Sequence, residues 1–283
     1  MFSPYYAAAR RRNAPDPLDH NAFNIVLRGR SRRWCMTERP RRDLHADERL
    51  LRIGPSSLHW DGREFRCELR ERGCPLPFAV RGSVRLTPLI QPAASYALDR
   101  AGQHWWTPIA PRARIEVLLH EPALRWSGEA YLDSNRGSGP LEADFSGWQW
   151  SRAHTERGTA VFYEPRHRRD PEWPLALEFV PAAAPRSMAL PARCPVPTSL
   201  WGIRAHARSD PPTECRLLER LVDAPFYSRS LLHTRLAGRP ATSVHESLDL
   251  DRFCSCWVQW LLPFRMPRFA AGQRAEPSAA EDS

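Results

Sequence analysis

Proline limits what this chain can fold into more than any other residue. There are 28 in 283 positions, about twice the usual share of roughly 5%. A proline ring fixes φ and removes a backbone donor, so it is excluded from helix interiors and central strands. The segments left between prolines are short, and they are rich in β-branched and aromatic residues: Phe23 to Leu27, Val84 to Leu86, Arg114 to Leu119, Ala160 to Tyr163 and Leu175 to Val180. Many short strands joined by frequent turns predict an all-β barrel or sandwich. One segment departs from this. In Glu214 to Val222 the apolar positions Leu217, Leu218, Leu221 and Val222 recur at helical spacing and Pro225 follows as a stop, which predicts a helix. Five prolines between Pro181 and Pro197 read as an extended connector between two β modules. The expected organisation is an N-terminal module over residues 1–153, a C-terminal module over 154–268, and a disordered tail over 269–283, where the hydrophobic pattern is lost.

With 42% hydrophobic and 26% charged residues the chain has a globular composition. No stretch approaches the roughly 20 apolar residues of a membrane-spanning helix. The start lacks an apolar segment behind its basic residues, so no secretory signal is read and the cytoplasm is the expected compartment. The formal net charge is +9, and every one of the 41 basic residues is arginine. These arginines are scattered rather than gathered with stacking aromatics, so nucleic acid is not an expected partner. An anionic membrane surface remains open as one. The run Trp257 to Arg268 combines aromatics, aliphatics and two arginines. It suits either an interfacial membrane seat or a final strand of the second module. Seven cysteines, an odd number with no C-x-x-C pair, predict reduced thiols. Cys254 and Cys256 lie downstream of His233 and His245, but C-x-C is not a usual zinc spacing, so buried small side chains are expected there and no metal.

The window from His104 to Trp150 is the richest in chemistry. On a strand, His104 and Trp106 share one face and Trp105 takes the other. Tyr131 and Asp133 likewise share a face opposite Leu132, and Trp148 and Trp150 repeat the spacing. An acid among aromatics in a dry cavity suits alkene protonation. Burial raises a carboxyl pKa toward general-acid duty, and Trp and Tyr faces stabilise the cation that follows. Asp133 is the candidate acid. The same residues admit plainer readings: Asp133 opening the loop that Ser134 to Gly139 suggest, His104 as a half-buried hydrogen-bonding residue, and the aromatics as core. Glu142 and Asp144 read as a solvated loop, and His245 to Arg252 as a salt-bridged turn. There is no G-x-S-x-G, P-loop or G-x-G-x-x-G, which removes support for serine hydrolase, nucleotide and dinucleotide chemistry.

Several phrases, in order along nearly the whole chain, resemble the carotenoid 1,2-hydratase (hydroxyneurosporene synthase) family of the lipocalin-like hydratase superfamily. They are Phe2 to Ala7, Arg33 to Arg39, Leu58 to Gly62, Trp106 to Arg114, Arg125 to Gly128, Tyr131 to Asp133, Trp148 to Arg152, the run from His245 to Phe253, and Leu261 to Arg268. The resemblance implies two lipocalin-like β modules and cofactor-independent addition of water across the terminal C1–C2 double bond of an acyclic carotenoid. It implies Asp133 as the acid, Tyr131 and Trp106 as its aromatic neighbours, and His104 orienting water or recycling the proton. Trp105, Trp148 and Trp150 would line the substrate cavity. A lipid-soluble substrate implies peripheral association with the inner or photosynthetic membrane and other enzymes of the same pathway as partners. Members carry a further strand-rich stretch before the phrase that begins here at Phe2, so the first module is expected to lack N-terminal strands. Ser134 and Arg136 stand where members tend to have His and an aromatic. The rival reading from another class is a non-catalytic lipocalin-like carotenoid binder, which needs no acid at Asp133.

Overall fold

The computed structural model describes residues 3–12, 16–212 and 214–268. The chain is all-β in plan, as expected: two large antiparallel sheets form a lipocalin-like sandwich, and among the described residues neither closes into a barrel. The first sheet is a meander, in spatial order Leu124–Gly137, His104–Glu121, Ala79–Ile90, Phe65–Arg72, Ser56–Trp60, Leu50–Ile53 and Leu44–Ala46, with Tyr96–Ala97 added beside His104–Glu121. The second runs Arg186–Ser187, Leu175–Phe179, Thr159–His167, Phe145–His154, Arg239–Asp249, Tyr227–Leu236 and Arg216–Asp223. At its centre Phe145–His154 pairs with Arg239–Asp249, so segments far apart in sequence become neighbours. The strand-like segments proposed from composition coincide with strands except at their end residues Phe23 and Val180, because β-branched and aromatic side chains fit a pleated surface buried on at least one face.

The largest core cluster lies where the last two strands of the first sheet meet the second sheet. It gathers Trp106, Phe145, Trp150, Tyr163, Phe179 and Leu248. Trp106 is completely buried, and a side chain of that size contributes about 3 kcal/mol or more on burial. Gly147, at φ +154°, sits where the pairing register of Phe145–His154 shifts. A Cβ there would lie 2.1 Å from the Leu248 carbonyl oxygen, so only glycine lets the two strands approach this closely just before Trp148.

Several expectations are overturned. Glu214 to Val222 is not a helix: Arg216–Asp223 is an edge strand paired with Tyr227–Leu236. Two register shifts, between Leu217 and Glu219 and between Arg220 and Val222, break the two-residue alternation and leave apolar spacings that imitate a helix. Pro225 sits in the hairpin turn, where Ala224 N–H donates to the Tyr227 carbonyl, rather than acting as a helix stop. The proline-rich connector is extended but joins strands of one sheet, contributing Arg186–Ser187 and half of a small ribbon, Ala192–Val196 with Ala205–Ser209. The C-terminal run is not a strand. Leu250–Cys254 and Cys256–Leu261 are helices, the first capped by the Asp249 carboxylate accepting from Arg252 N–H, and Leu262–Phe264 is a 3-10 turn. The expected tail over 269–283 lies outside the described residues.

The cysteines also differ from expectation. Cys194 and Cys215 form a disulfide, because the ribbon strand carrying Cys194 brings its Cα to 5.9 Å from that of Cys215, a proximity no local sequence pattern records. Cys254 and Cys256 are exposed rather than buried, since the helices that carry them turn those positions outward. No helix among the described residues is long and apolar enough to cross a membrane.

Candidate active site between the two sheets

The strand Leu124–Gly137 runs unbroken through Asp133, so this residue does not open a loop. Its pairing with His104–Glu121 slips twice, between Ala130 and Leu132 and again between Leu132 and Ser134. Tyr131 and Asp133 fall at the two slips. Bulges of this kind increase local twist and re-aim side chains, and here both residues turn toward the second sheet. The Trp106 indole N–H donates to Asp133 Oδ2 at 2.7 Å, and the Tyr131 hydroxyl donates to the same oxygen at 2.9 Å. No hydrogen bond to Oδ1 is formed among the described residues. Burial pushes the Asp133 carboxyl above its ordinary pKa and the nearby Glu246 adds to the rise, although the bonds from Trp106 and Tyr131 and the Arg152 charge pull the other way. Burial, with Asp133 beside it, likewise holds the Tyr131 hydroxyl well above its ordinary value, so it stays a donor.

In front of this cluster is a cavity of about 290 Å³. Tyr131, Asp133 and Asn135 form its wall on the first sheet, and Trp148, Trp150, Arg152, Tyr163, Arg229, Val244 and Glu246 form its wall on the second. Rings meet across the gap, with Tyr131 5.3 Å from Trp150, and Trp106 edge-on to Tyr163 at 5.8 Å, centroid to centroid. The Arg152 guanidinium lies over the Tyr131 ring at 5.0 Å, and Arg229 pairs with Glu246 at 2.6 Å. The volume is at the lower end of the roughly 300–1,000 Å³ of small-molecule sites. It suits the end of a long hydrocarbon and not its whole length.

A second cavity of about 240 Å³ adjoins the first and shares Asn135, Trp148 and Tyr163 with it. Trp105 lines only this second space, with the Arg136 guanidinium 5.4 Å from its ring centre. His104 is here too. It is buried on the same strand face as Trp106, but its Nε2 meets Asp144 Oδ2 at 2.9 Å and it makes no contact with Asp133. Gly137 lies directly across from it, where a Cβ would come within 2.5 Å of its Nδ1. Of the sequence candidates, then, Asp133, Tyr131 and Trp106 are bonded together, Trp148 and Trp150 face them, and Trp105 and His104 belong to the adjoining space.

Sequence reasoning missed Asn135, Arg152, Tyr163, Arg229, Glu246 and Asp144. Asn135 and Arg152 were within reach, since each continues an alternation already noted, two residues beyond Asp133 and Trp150. Asp144 is not the solvated loop residue its sequence neighbours suggest: it closes the short helix Leu141–Asp144 against His104, while Glu142 pairs with Arg10. Glu246 was assigned to a salt-bridged turn. It lies instead in the strand Arg239–Asp249, opposite Trp150 on one side and Arg229 on the other. Only the assembled sheet makes that placement visible. His245, on the reverse face, is buried with Nε2 3.1 Å from Gln149 Oε1, and burial holds its pKa down at about 3.

The family description "Carotenoid hydratase CrtC" matches residues 1–275 of the sequence. The chain belongs to the carotenoid hydratase CrtC family. The resemblance drawn from the sequence phrases therefore named the right family. Among relatives of this CrtC family chain is an acyclic carotenoid 1,2-hydratase of Thiocapsa roseopersicina, 49% identical over 270 residues, covering 95% of this chain and 67% of the relative. That of Rubrivivax gelatinosus is 43% identical over 274 residues, covering 95% and 68%. That of Cereibacter sphaeroides is 36% identical over 269 residues and is covered, like this chain, to 95%.

Proposed function

We propose that this chain is an acyclic carotenoid 1,2-hydratase. The observation that carries the reading is Asp133: a half-buried carboxyl with its pKa raised, gripped on one oxygen by Trp106 and Tyr131, at the wall of an aromatic cavity sized for a hydrocarbon end. Neutral donors on Oδ2 leave Oδ1 to carry the proton. In the reaction Asp133 protonates C2 of the terminal alkene, the positive charge develops on the more substituted C1, and water adds there to give a tertiary alcohol. The two donors strengthen their bonds as the carboxylate forms, which is stabilisation realised in the transition state. The faces of Trp148, Trp150 and Tyr163 attract the developing cation. Addition of water changes no overall oxidation state, so the chemistry calls for no cofactor. His104, two residues from Trp106 and tied to Asp144, is read as holding the strand that aims the indole.

Asp133→Asn tests the reading. Hydration of lycopene by the purified variant should be lost while its circular dichroism stays that of the parent. Unchanged turnover would remove Asp133 from the mechanism, and a parent that binds lycopene without producing alcohol would establish the rival binder.

We further propose that the chain seats on a membrane surface to collect this substrate. Trp260 is 78% exposed and Phe264 69%, and both stand on the C-terminal helical segment beside Arg265. Trp257 stacks on Trp201, next to Leu200, which is 97% exposed, so a second loop extends the apolar face. Such aromatic clusters with flanking arginines suit lipid interfaces. Co-sedimentation with anionic vesicles should fall about tenfold in a Trp260→Ser, Phe264→Ser double variant. Equal sedimentation would sink the idea.

A further inference from the structure

Hydration needs two proton transfers, and the cluster at Asp133 supplies only the first. Water that attacks the cation must lose a proton. His104 is turned away to Asp144 in the adjoining cavity and does not reach this space. The reaction cavity contains two carboxyl groups, Asp133 and Glu246, on walls that belong to different sheets. Their partners differ in kind. Asp133 is held by two neutral donors, whereas Glu246 Oε1 lies 2.6 Å from the Arg229 Nη2, a fixed positive charge that suits a carboxylate. Arg229 is itself steadied by its Nε donating to the Tyr227 hydroxyl at 2.9 Å. A carboxyl held by neutral donors and a second one ion-paired with a guanidinium, facing each other across one cavity, offer the positions of an acid and a base.

We propose that Glu246 is the general base of the water-capture step, accepting the proton of the water that adds to C1. The proposal rests on the hydratase reading and completes it. Asp133 gives its proton to C2 and becomes a carboxylate. The C1–oxygen bond forms as the water O–H breaks, and that proton passes to Glu246. The tertiary alcohol leaves, and a proton returns from Glu246 to Asp133 through water in the cavity, so both groups end as they began. The like charges of the two carboxylates after the first step favour proton uptake from the water, and the Arg229 charge beside Glu246 favours the proton's return to Asp133.

The decisive experiment runs the parent, Asp133→Asn, Glu246→Gln and the double variant Glu246→Gln, Arg229→Gln with lycopene in deuterated water, following alcohol and the deuterium content of recovered lycopene by mass. The double variant removes both members of the Glu246–Arg229 pair, so neither is left without the other, which separates chemistry from misfolding. Both Gln variants should lose hydration by about 10²-fold or more. Their recovered lycopene should nevertheless gain deuterium, because Asp133 still protonates the alkene and the uncaptured cation collapses by losing a proton. Asp133→Asn should give neither alcohol nor exchange. Hydration within about threefold of the parent in either Gln variant would overturn the proposal, given the usual size of base catalysis. Loss of exchange together with hydration in both Gln variants would also overturn it, because Glu246 would then act before water capture. If the parent forms no alcohol, the hydratase reading itself fails and takes the base assignment with it, an outcome distinct from the other two.

Discussion

Two carboxyl groups in the same sandwich, Asp133 and Glu164, face opposite fates. Glu164, on Thr159–His167 in the second sheet, lies against Arg208, whose Nε donates to Oε1 at 2.9 Å and whose Nη2 meets Oε2, with His206 Nε2 3.4 Å away. Burial alone would raise its pKa, but these cationic and hydrogen-bonding partners outweigh it and bring the value down to about 2. Asp133 is half-buried at the cavity wall and its bonded partners are an indole and a phenol, and there burial prevails and the pKa rises. A charged partner makes a buried carboxyl an anchor for the ribbon strand that carries Arg208. Neutral partners leave it able to hold a proton, as the acid role proposed for it requires. The sign of the partner, not the depth of burial, separates structure from chemistry in this molecule.

The contrast is sharpest in activity. Asp133→Asn should reduce hydration by about 10³-fold or more, at the upper part of the range for a lost general acid. Glu164→Gln should leave the chemical step within a few-fold of the parent, because no atom of Glu164 lines the reaction cavity. Comparable losses of kcat in the two variants would dissolve the distinction.

In stability the order reverses. Glu164→Gln strands the Arg208 guanidinium in a largely buried place and should cost about 3 kcal/mol, the scale for breaking a buried pair from one side. The pH dependence follows the same pair. Because the folded pKa of Glu164 is lowered to about 2, its contribution is present above the unfolded value near 4.5 and is lost as pH falls from there toward about 2. Denaturant melts at pH 7 and pH 3 should show the parent losing part of its advantage over Glu164→Gln on acidification. An advantage that grows with acid would contradict the pairing.

How much of this was legible beforehand depended on the range of the interaction. The alternation of Tyr131 with Asp133 and of Trp148 with Trp150 is a two-residue pattern, and a strand displays it directly in the sequence. The Arg216–Asp223 strand misled because two bulges reset that period, so its leucines matched a helix. The C-terminal segment after Asp249 offered aromatics that suit a strand or a helix, and the Asp249 cap decided between them. Glu246 could not be placed at all from local pattern. Its position depends on Arg239–Asp249 pairing with Phe145–His154 and with Tyr227–Leu236. His104 shows the remaining limit. Its strand face was readable, but the carboxylate that claims it, Asp144, enters from a separate helical turn.

The smallest effect is also the most diagnostic, because it requires one substitution to abolish activity and strengthen the fold. A carboxyl whose folded pKa is raised holds its proton more tightly folded than unfolded. Its stability contribution is therefore greatest below the unfolded value near 3.9, and it is lost as pH rises through the folded pKa. At neutral pH Asp133 thus lowers the stability of the fold, a cost that the role proposed for it would explain. Asparagine offers Trp106 and Tyr131 the same acceptor oxygen without a group whose ionisation favours the unfolded chain. Asp133→Asn should then gain about 1 kcal/mol at pH 7, read as a higher Tm, and the gain should vanish at pH 3, where the aspartate is protonated in both states. Glu164→Gln should show the opposite sign at pH 7. A Tm for Asp133→Asn that falls at pH 7 would mean that the carboxylate is stabilised by Arg152 and its two donors beyond the cost of burial. The division between anchor and acid would then have to rest on access to the cavity rather than on the charge of the partners.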